Sequence, residues 1–239
     1  MRRLFFFGCL VIGSLNAISQ RTVDVSKESN AYSGAVNYMY TVSGVPFVNT
    51  KFARVVDGSP FFNEQMMRGA IILSEGKEYK NVLVRLNLLE SQVNYIGEKQ
   101  IEMITTTPVK EVVLWDTIRG KDHRFISSSY LETTEKPEKD FYELLQSGKA
   151  ELYKQHKKQL QESKPYGSAT VEQIIQTNIR FYVLLNKQWT KIKKIKELVS
   201  VFDDKKDEVL KFIDDKKLSG DTEANFEAIT AYYNLLAQN

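Results

Sequence analysis

Between Arg68 and Tyr130, short stretches rich in Val, Ile, Tyr and Phe alternate with turn residues. In the clearest stretch, every second residue from Val82 to Leu88 is apolar, whereas Arg85 and Asn87 fall on the opposite face. This period of two is typical of a half-buried β-strand. The pattern predicts strands over Gly69–Leu73, Tyr79–Leu88, Val93–Ile96, Ile101–Thr105, Val109–Trp115 and Arg124–Tyr130.

The β pattern continues beyond a polar link over Glu132–Asp140. Further predicted strands are Phe141–Leu145, Ala150–Gln159 and a hairpin of Ile179–Leu185 with Gln188–Ile192. Upstream of the clear region, Val36–Val42 has β-type composition and Asp57–Pro60 is a strong turn signal. Because strands this close in sequence pair most simply with their neighbours, we expect an antiparallel meander.

From about residue 194 the apolar period becomes that of an α-helix. One stripe consists of Ile195, Leu198, Val199 and Phe202, and a second of Val209, Phe212 and Ile213. A third helix is expected from about Asp221, with Asp221 or Thr222 as its N-cap. Its apolar residues are Phe226, Ile229, Tyr233 and Leu236.

These patterns predict an α+β fold: an antiparallel β-meander, as a curved sheet or an open barrel-like sheet, followed by about three short C-terminal helices. Short helices need a partner surface to be stable. We therefore expect a single α+β domain over residues 20–239, β-rich at 20–193 and helical at 194–239, in which the helices pack on the sheet. An independent three-helix unit is the alternative.

Residues 1–19 have the layout of a secretory signal peptide. Arg2 and Arg3 precede an apolar stretch from Leu4 to Ile12, and small and polar residues follow as far as Ser19. We expect cleavage near Ser19/Gln20 and a periplasmic or extracellular protein. An uncleaved anchor is disfavoured because the apolar stretch ends short of the ~20 residues that span a bilayer. Lipid attachment at Cys9 is disfavoured because too few apolar residues separate it from Arg3.

Removal of this leader changes the charge and the cysteine content. It takes away two arginines, which leaves 31 Lys and Arg against 30 Asp and Glu. Strong nucleic-acid binding needs a concentrated basic surface, so nucleic acid is not an expected partner. The single cysteine, Cys9, leaves with the leader, so the mature chain has no disulfide and no cysteine nucleophile. No later stretch is long enough to span a bilayer.

The sequence contains no catalytic or metal-binding signature that we recognise. The two histidines, His123 and His156, lie in no metal-ligand or catalytic motif, and we interpret both as surface residues. Ser74–Lys77 matches the Ser-x-x-Lys nucleophile motif but lies in a predicted hairpin turn, whereas the motif works at the start of a helix. We therefore predict no catalytic, cofactor-binding or metal-binding residue, and no cofactor.

Two charged stretches allow a functional interpretation, but a structural one is simpler. Carboxylates at Asp203, Asp204, Asp207, Glu208, Asp214 and Asp215 lack the spacing of a calcium loop and suit a solvated helix face. The lysines Lys187, Lys191, Lys193, Lys194 and Lys196 could touch an anionic polymer or a lipid headgroup. They equally suit an exposed strand edge, where lysines discourage pairing with another chain.

Three features of the chain point to a family resemblance: Gly58-Ser59-Pro60-Phe61-Phe62-Asn63, the stretch Gly76–Asn87, and the lysine-rich junction between the last hairpin and the first helix. In these features the chain resembles an uncharacterised family of exported proteins common in Bacteroidota. The resemblance covers most of residues 55–235. It implies an extracytoplasmic location and a β-rich body followed by short helices, and it carries over no activity and no site residues.

Three functions remain open. The first is a non-catalytic binding or interaction module of the cell envelope, whose partner is an envelope protein, a lipid or a glycan. The second is a periplasmic carrier of an apolar ligand or lipid, which requires a cavity on the face that carries Val82, Val84, Leu86 and Leu88. The third is a hydrolase whose site residues are scattered in sequence and gathered in a cleft.

Export makes a direct prediction about the mature chain. Protein recovered from the envelope or medium of the native host should begin at Gln20, because the signal peptidase removes residues 1–19. Intact-mass spectrometry with N-terminal sequencing measures this. A chain that retains residues 1–19, or one that carries a lipid on Cys9, would contradict it.

Overall fold

The computed structural model describes residues 22–24, 42–46, 53–97, 100–164, 166–167 and 171–238. These residues form thirteen β-strands in one sheet, followed by three α-helices. The strands are β1 Thr22–Asp24, β2 Gly44–Pro46, β3 Ala53–Asp57, β4 Met67–Leu73, β5 Glu78–Asn87, β6 Gln92–Ile96, β7 Glu102–Thr105, β8 Val109–Asp116, β9 Lys121–Ser127, β10 Phe141–Gln146, β11 Ala150–Ser163, β12 Val171–Leu185 and β13 Gln188–Ile192. The helices are α1 Ile195–Val201, α2 Lys206–Lys216 and α3 Glu223–Leu236.

The sheet has the order β13-β12-β11-β10-β9-β8-β4-β5-β6-β7-β2, and every pair along this path is antiparallel. Two short strands pair in parallel beside it, β1 with β5 and β3 with β12. The α+β class and the curved, open sheet are therefore confirmed. The strand order departs from sequential pairing at one step, where β8 pairs with β4 instead of β7. Strand β4 therefore lies in the interior of the sheet, with β5 on one side and β8 on the other.

One face of the sheet, here called the inner face, carries two large apolar clusters. The first lies on β4–β10 and includes the predicted face of Val82, Val84, Leu86 and Leu88, each at most 3% exposed. The sheet curves around this cluster until the β5–β6 turn reaches the start of β10, where Ser91 Oγ lies 3.4 Å from the Lys139 carbonyl oxygen. The curvature has a local requirement at Gly69, since a Cβ there would lie 2.0 Å from the Val113 carbonyl oxygen.

The three helices cover the second cluster, which lies on the inner face of β11–β13. Helix α3 begins with Thr222 as its N-cap, and the Thr222 hydroxyl accepts a hydrogen bond from the Asn225 amide. Near its end, the buried Asn234 bonds both the N–H and the C=O of Ala150, at 2.8 Å each. These contacts fix α3 against the turn between β10 and β11, so the helices pack on the sheet as predicted.

The outer face carries a third, aromatic cluster on β9–β13, in which Trp189 stacks on Tyr182. The predicted polar link after β9 crosses this face. Its ends are tied together, because the Ser128 amide donates to the Asp140 carbonyl and the Asp140 amide donates to the Ser128 hydroxyl. Its middle is held where the Thr134 amide donates to the Lys187 carbonyl, at 2.8 Å.

Most predicted strands are present, and three of them, β9, β11 and β12, differ clearly from their predicted bounds. The strand predicted over Arg124–Tyr130 ends at Ser127 and is followed by a 3-10 turn. Strands β11 and β12 extend well beyond the predicted bounds, because their outer parts are mostly polar and their few apolar residues, such as Leu160, Ile174 and Ile175, show no regular alternation. The stretch Val36–Val42 lies outside the described residues except for Val42, which is buried.

Candidate functional site

A charged pair interrupts an apolar row on the inner face. Cross-strand register places Tyr79, Ile71, Val112, Phe125, Glu143, Lys154, Phe181 and Ile192 side by side. Only Glu143 and Lys154 in this row are charged, and they lie between the two apolar clusters. The Glu143 side chain is 3% exposed and that of Lys154 is 15% exposed. An uncompensated carboxylate at such a place would cost several kcal/mol.

Two histidines form hydrogen bonds with the buried carboxylate of Glu143. His123 Nδ1 on β9 lies 2.6 Å from Glu143 Oε1, and His156 Nε2 on β11 lies 2.7 Å from Oε2. With Glu143 ionised, each imidazole donates an N–H to one carboxylate oxygen. Phe62 packs edge-on against both rings, with centroids 4.9 Å from His123 and 5.1 Å from His156. We call His123, Glu143 and His156 the His–Glu–His cluster.

Hydrogen bonds and a nearby positive charge stabilise the ionised form of Glu143 although the carboxyl group is buried. Burial alone raises the pKa of this carboxyl, but the hydrogen bonds with His123 and His156 and the nearby charge of Lys154 outweigh it. The net result is a Glu143 pKa held well below its ordinary value. Glu143 is therefore a permanent negative charge inside the sheet at any ordinary pH.

The cluster continues into helix α3 through Lys154. Its Nζ lies 4.0 Å from Glu143 Oε2 and 2.7 Å from Glu223 Oε2, in the first turn of α3. Lys121 Nζ lies 4.0 Å from Glu223 Oε1 and 3.7 Å from Glu227 Oε1. A chain of alternating charges thus joins the centre of the sheet to the start of the last helix.

The interpretation of both histidines as surface residues is wrong, since each side chain is only 12% exposed. The sequence does hold a signal for this. His123 shares strand parity with the buried Phe125, and His156 shares it with the buried Leu152, so both lie on the apolar face. The residues next to each histidine in sequence are polar or charged, so the apolar alternation is hard to see there.

The His–Glu–His cluster resembles a carboxylate that orients a catalytic imidazole. However, neither histidine lines either of the two clefts described below. Among the described residues, no group of three or more His, Cys, Asp or Glu side chains is arranged to hold a metal ion. The contacts of the cluster stabilise a buried carboxylate within the fold.

A cleft lies where the curved sheet brings strand ends together. It has a volume of about 340 Å³ and lies between the start of β6, the connection from β7 to β8, and the junction of β9 with β10. We call it the strand-end cleft. Its lining residues are Ser91, Gln92, Val93, Thr105, Thr106, Thr107, Pro108, Val109, Ser127, Ser129, Tyr130, Lys139, Asp140 and Phe141.

Half of the residues that line this cleft carry a hydroxyl group. Seven lining residues carry one: Ser91, Thr105, Thr106, Thr107, Ser127, Ser129 and Tyr130. Of these seven hydroxyls, only that of Ser91 makes a hydrogen bond within the described part of the chain, to the 139–140 segment. Thr105, Thr107, Ser127 and Tyr130 are nevertheless half-buried. The cleft is therefore lined by several half-buried residues whose hydroxyls have no hydrogen-bond partner among the described residues.

Asp140 supplies the one carboxylate of the strand-end cleft, and it is 3% exposed. Its Oδ2 accepts from Gln155 Nε2 at 2.9 Å, and its Oδ1 accepts from the Phe141 amide at 2.9 Å. Burial raises the pKa of Asp140, and these two hydrogen bonds act against that rise. Gln155 in turn accepts from the Tyr182 hydroxyl, so Asp140 connects the cleft to the outer aromatic cluster.

A second cleft, of about 570 Å³, lies between the β12–β13 turn and α1. It is lined by Leu185, Asn186, Gln188, Thr190, Lys191, Glu197, Ser200, Val201 and Asp203. The five lysines of the last hairpin and α1 are exposed, as the exposed-edge interpretation requires. The carboxylates over 203–215 are exposed as well, as a solvated helix face requires, and Ser74–Lys77 forms the β4–β5 turn.

Comparison with known proteins gives no relative from which a function could be transferred: no family model, curated protein or solved structure matches the chain. Within the described ranges, none of the helices has the length and apolar character needed to cross a bilayer. The candidate site therefore rests on geometry alone.

The depressed pKa of Glu143 predicts a pH dependence of stability. Its folded-state pKa lies below the ordinary value of 4.5, so its contribution is present above that pH and is lost as pH falls below it. Replacing Glu143 with Gln removes this titration. Between pH 5 and pH 3, the loss of unfolding free energy should be shallower in Glu143→Gln than in the wild type, by up to about 1.4 kcal/mol per pH unit.

Urea unfolding at several pH values measures this difference. The matched control is Glu208→Gln on the exposed side of α2, which should follow the wild-type slope. Equal slopes for Glu143→Gln and the wild type would show that the two histidines do not stabilise the ionised carboxylate.

Proposed function

We propose that the protein is an exported, non-catalytic binding module that holds a small polar ligand in the strand-end cleft. The observation that carries this proposal is the set of half-buried hydroxyls without a protein partner around a preformed cleft of about 340 Å³. Binding sites for small molecules are typically preformed clefts of roughly 300–1,000 Å³ with a few convergent polar groups.

The chemistry of the cleft supports binding over hydrolysis. A glycosidase needs two carboxyl groups on opposite sides of a bond, and Asp140 is the one carboxylate that lines this cleft. Both of its oxygens are already hydrogen-bonded to the protein. No histidine lines the cleft to activate a serine or threonine as a nucleophile.

The carrier hypothesis has less support. Its predicted ligand face, from Val82 to Leu88, packs against other side chains of the first cluster, including Phe62. None of its four apolar residues lines either of the described clefts. The helices cover the other half of the inner face, where they pack against the second apolar cluster.

Location and family stay part of the proposal. The leader that predicts export lies outside the described residues. The family resemblance rests partly on Gly58–Asn63, and the structure gives one residue of this segment, Phe62, a defined role against the His–Glu–His cluster. An open polar cleft on an exported protein would be accessible to a ligand in the cell envelope, either free in solution or attached to a larger molecule.

Saturation-transfer NMR with a mixed set of small probes tests whether the cleft binds. The set should contain neutral sugars, amino acids, nucleotides, simple phosphates and medium-chain fatty acids. We expect at least one polar class to bind, to be recovered chemically unchanged, and to lose binding in Thr107→Phe, which fills the cleft from the β7–β8 connection.

The matched control is Thr117→Phe, the same substitution at the exposed tip of the β8–β9 hairpin, which should bind like the wild type. Three outcomes would count against the proposal: that no probe binds, that binding survives Thr107→Phe, or that the protein converts the bound probe chemically. Binding of fatty acid alone would favour the carrier.

A further inference from the structure

We infer that the ligand of the strand-end cleft is an uncharged carbohydrate, an inference that rests on the proposed function. Each Ser, Thr or Tyr hydroxyl can both donate and accept a hydrogen bond. Sugar hydroxyls have the same dual character, so a wall of free hydroxyls can pair with them in many orientations. A ligand with only donors or only acceptors would use half of this capacity.

The charges at the cleft favour a neutral ligand. Its two ionisable groups of opposite sign, Lys139 and Asp140, are neighbours in the chain, so their charges offset each other. An anion would lie beside the buried carboxylate of Asp140. A cation would find that both oxygens of this carboxylate already accept hydrogen bonds from the protein.

The floor of the cleft adds an apolar surface. Val93, Val109 and Phe141 line it, and all three are at most 7% exposed because they belong to the first apolar cluster. A sugar ring has apolar C–H faces between its polar edges. Hydroxyl-bearing residues beside a small aliphatic and aromatic surface therefore match a sugar ring better than an amino acid zwitterion or a phosphate ester.

The volume limits the size of the bound unit. A cleft of about 340 Å³ is near the lower end of the range for small-molecule sites. It suits one or two sugar rings, with any longer chain running out into solvent. Free oligosaccharide and the end of a surface glycan share this chemistry, and the size of the ligand that binds best distinguishes them.

Chemical-shift titration with ¹⁵N-labelled protein tests this inference. The probes are methyl glucoside, methyl galactoside, N-acetylglucosamine, maltose and cellobiose, each set against galacturonate, glucosamine and inorganic phosphate. We expect a neutral sugar to bind and to shift amides near residues 105–109 and 127–130. Thr107→Val and Ser127→Ala, which remove one hydroxyl each, should weaken it by about fivefold.

Thr117→Val at the hairpin tip is the matched control, and it should leave the affinity unchanged. If an amino acid or a charged probe binds in the cleft and neutral sugars do not, the carbohydrate inference is overturned while the binding module stands. If no probe of any class binds there, both proposals fail. If a sugar binds with equal affinity to wild type, Thr107→Val and Ser127→Ala, the hydroxyl wall is not the recognition surface.

Discussion

The inner face of a single long sheet has to be shielded from water over most of its width, and the rest of the molecule is arranged around this constraint. At β4–β10 the sheet curves over its own first cluster, and at β11–β13 the three helices cover the second. The two arrangements meet at Glu143, where a buried carboxylate is stable because His123, His156 and Lys154 surround it. Without these partners, the junction would hold an uncompensated charge that costs several kcal/mol.

The strand-end cleft is a consequence of the same curvature. The curve brings the β5–β6 turn to the start of β10, but it leaves a space between the strand ends that is about 340 Å³ in volume. Asp140 holds one side of that space in place through Gln155, and its hydrogen bonds with Ser128 close the link across the outer face. The proposed binding site is therefore built on strand ends and on a loop whose two ends are hydrogen-bonded to each other.

Much of the fold could be predicted from the sequence because strands and helices have different apolar periods. The period of two locates β4–β13 to within a few residues in most cases, and the change of period near residue 194 locates the helices. The pairing of β8 with β4 could not be predicted, because pairing partners depend on the whole sheet and local alternation is silent about them. The candidate site was missed for the same reason: its hydroxyls come from separate loops and strand ends, and Ser and Thr are ordinary loop residues.

The central expectation is that the sheet and the helices form one domain. Urea unfolding followed by two signals tests it most directly, because a single cooperative domain has one folding transition. Tryptophan fluorescence reports on Trp115 and Trp189 in the sheet, and circular dichroism at the helical band reports on α1–α3. If the cluster around Glu143 joins the two halves of the inner face, both signals should change at the same urea concentration in the wild type. A helical signal that is lost at lower urea than the fluorescence signal would show that the helices fold as a separate unit and would contradict the account.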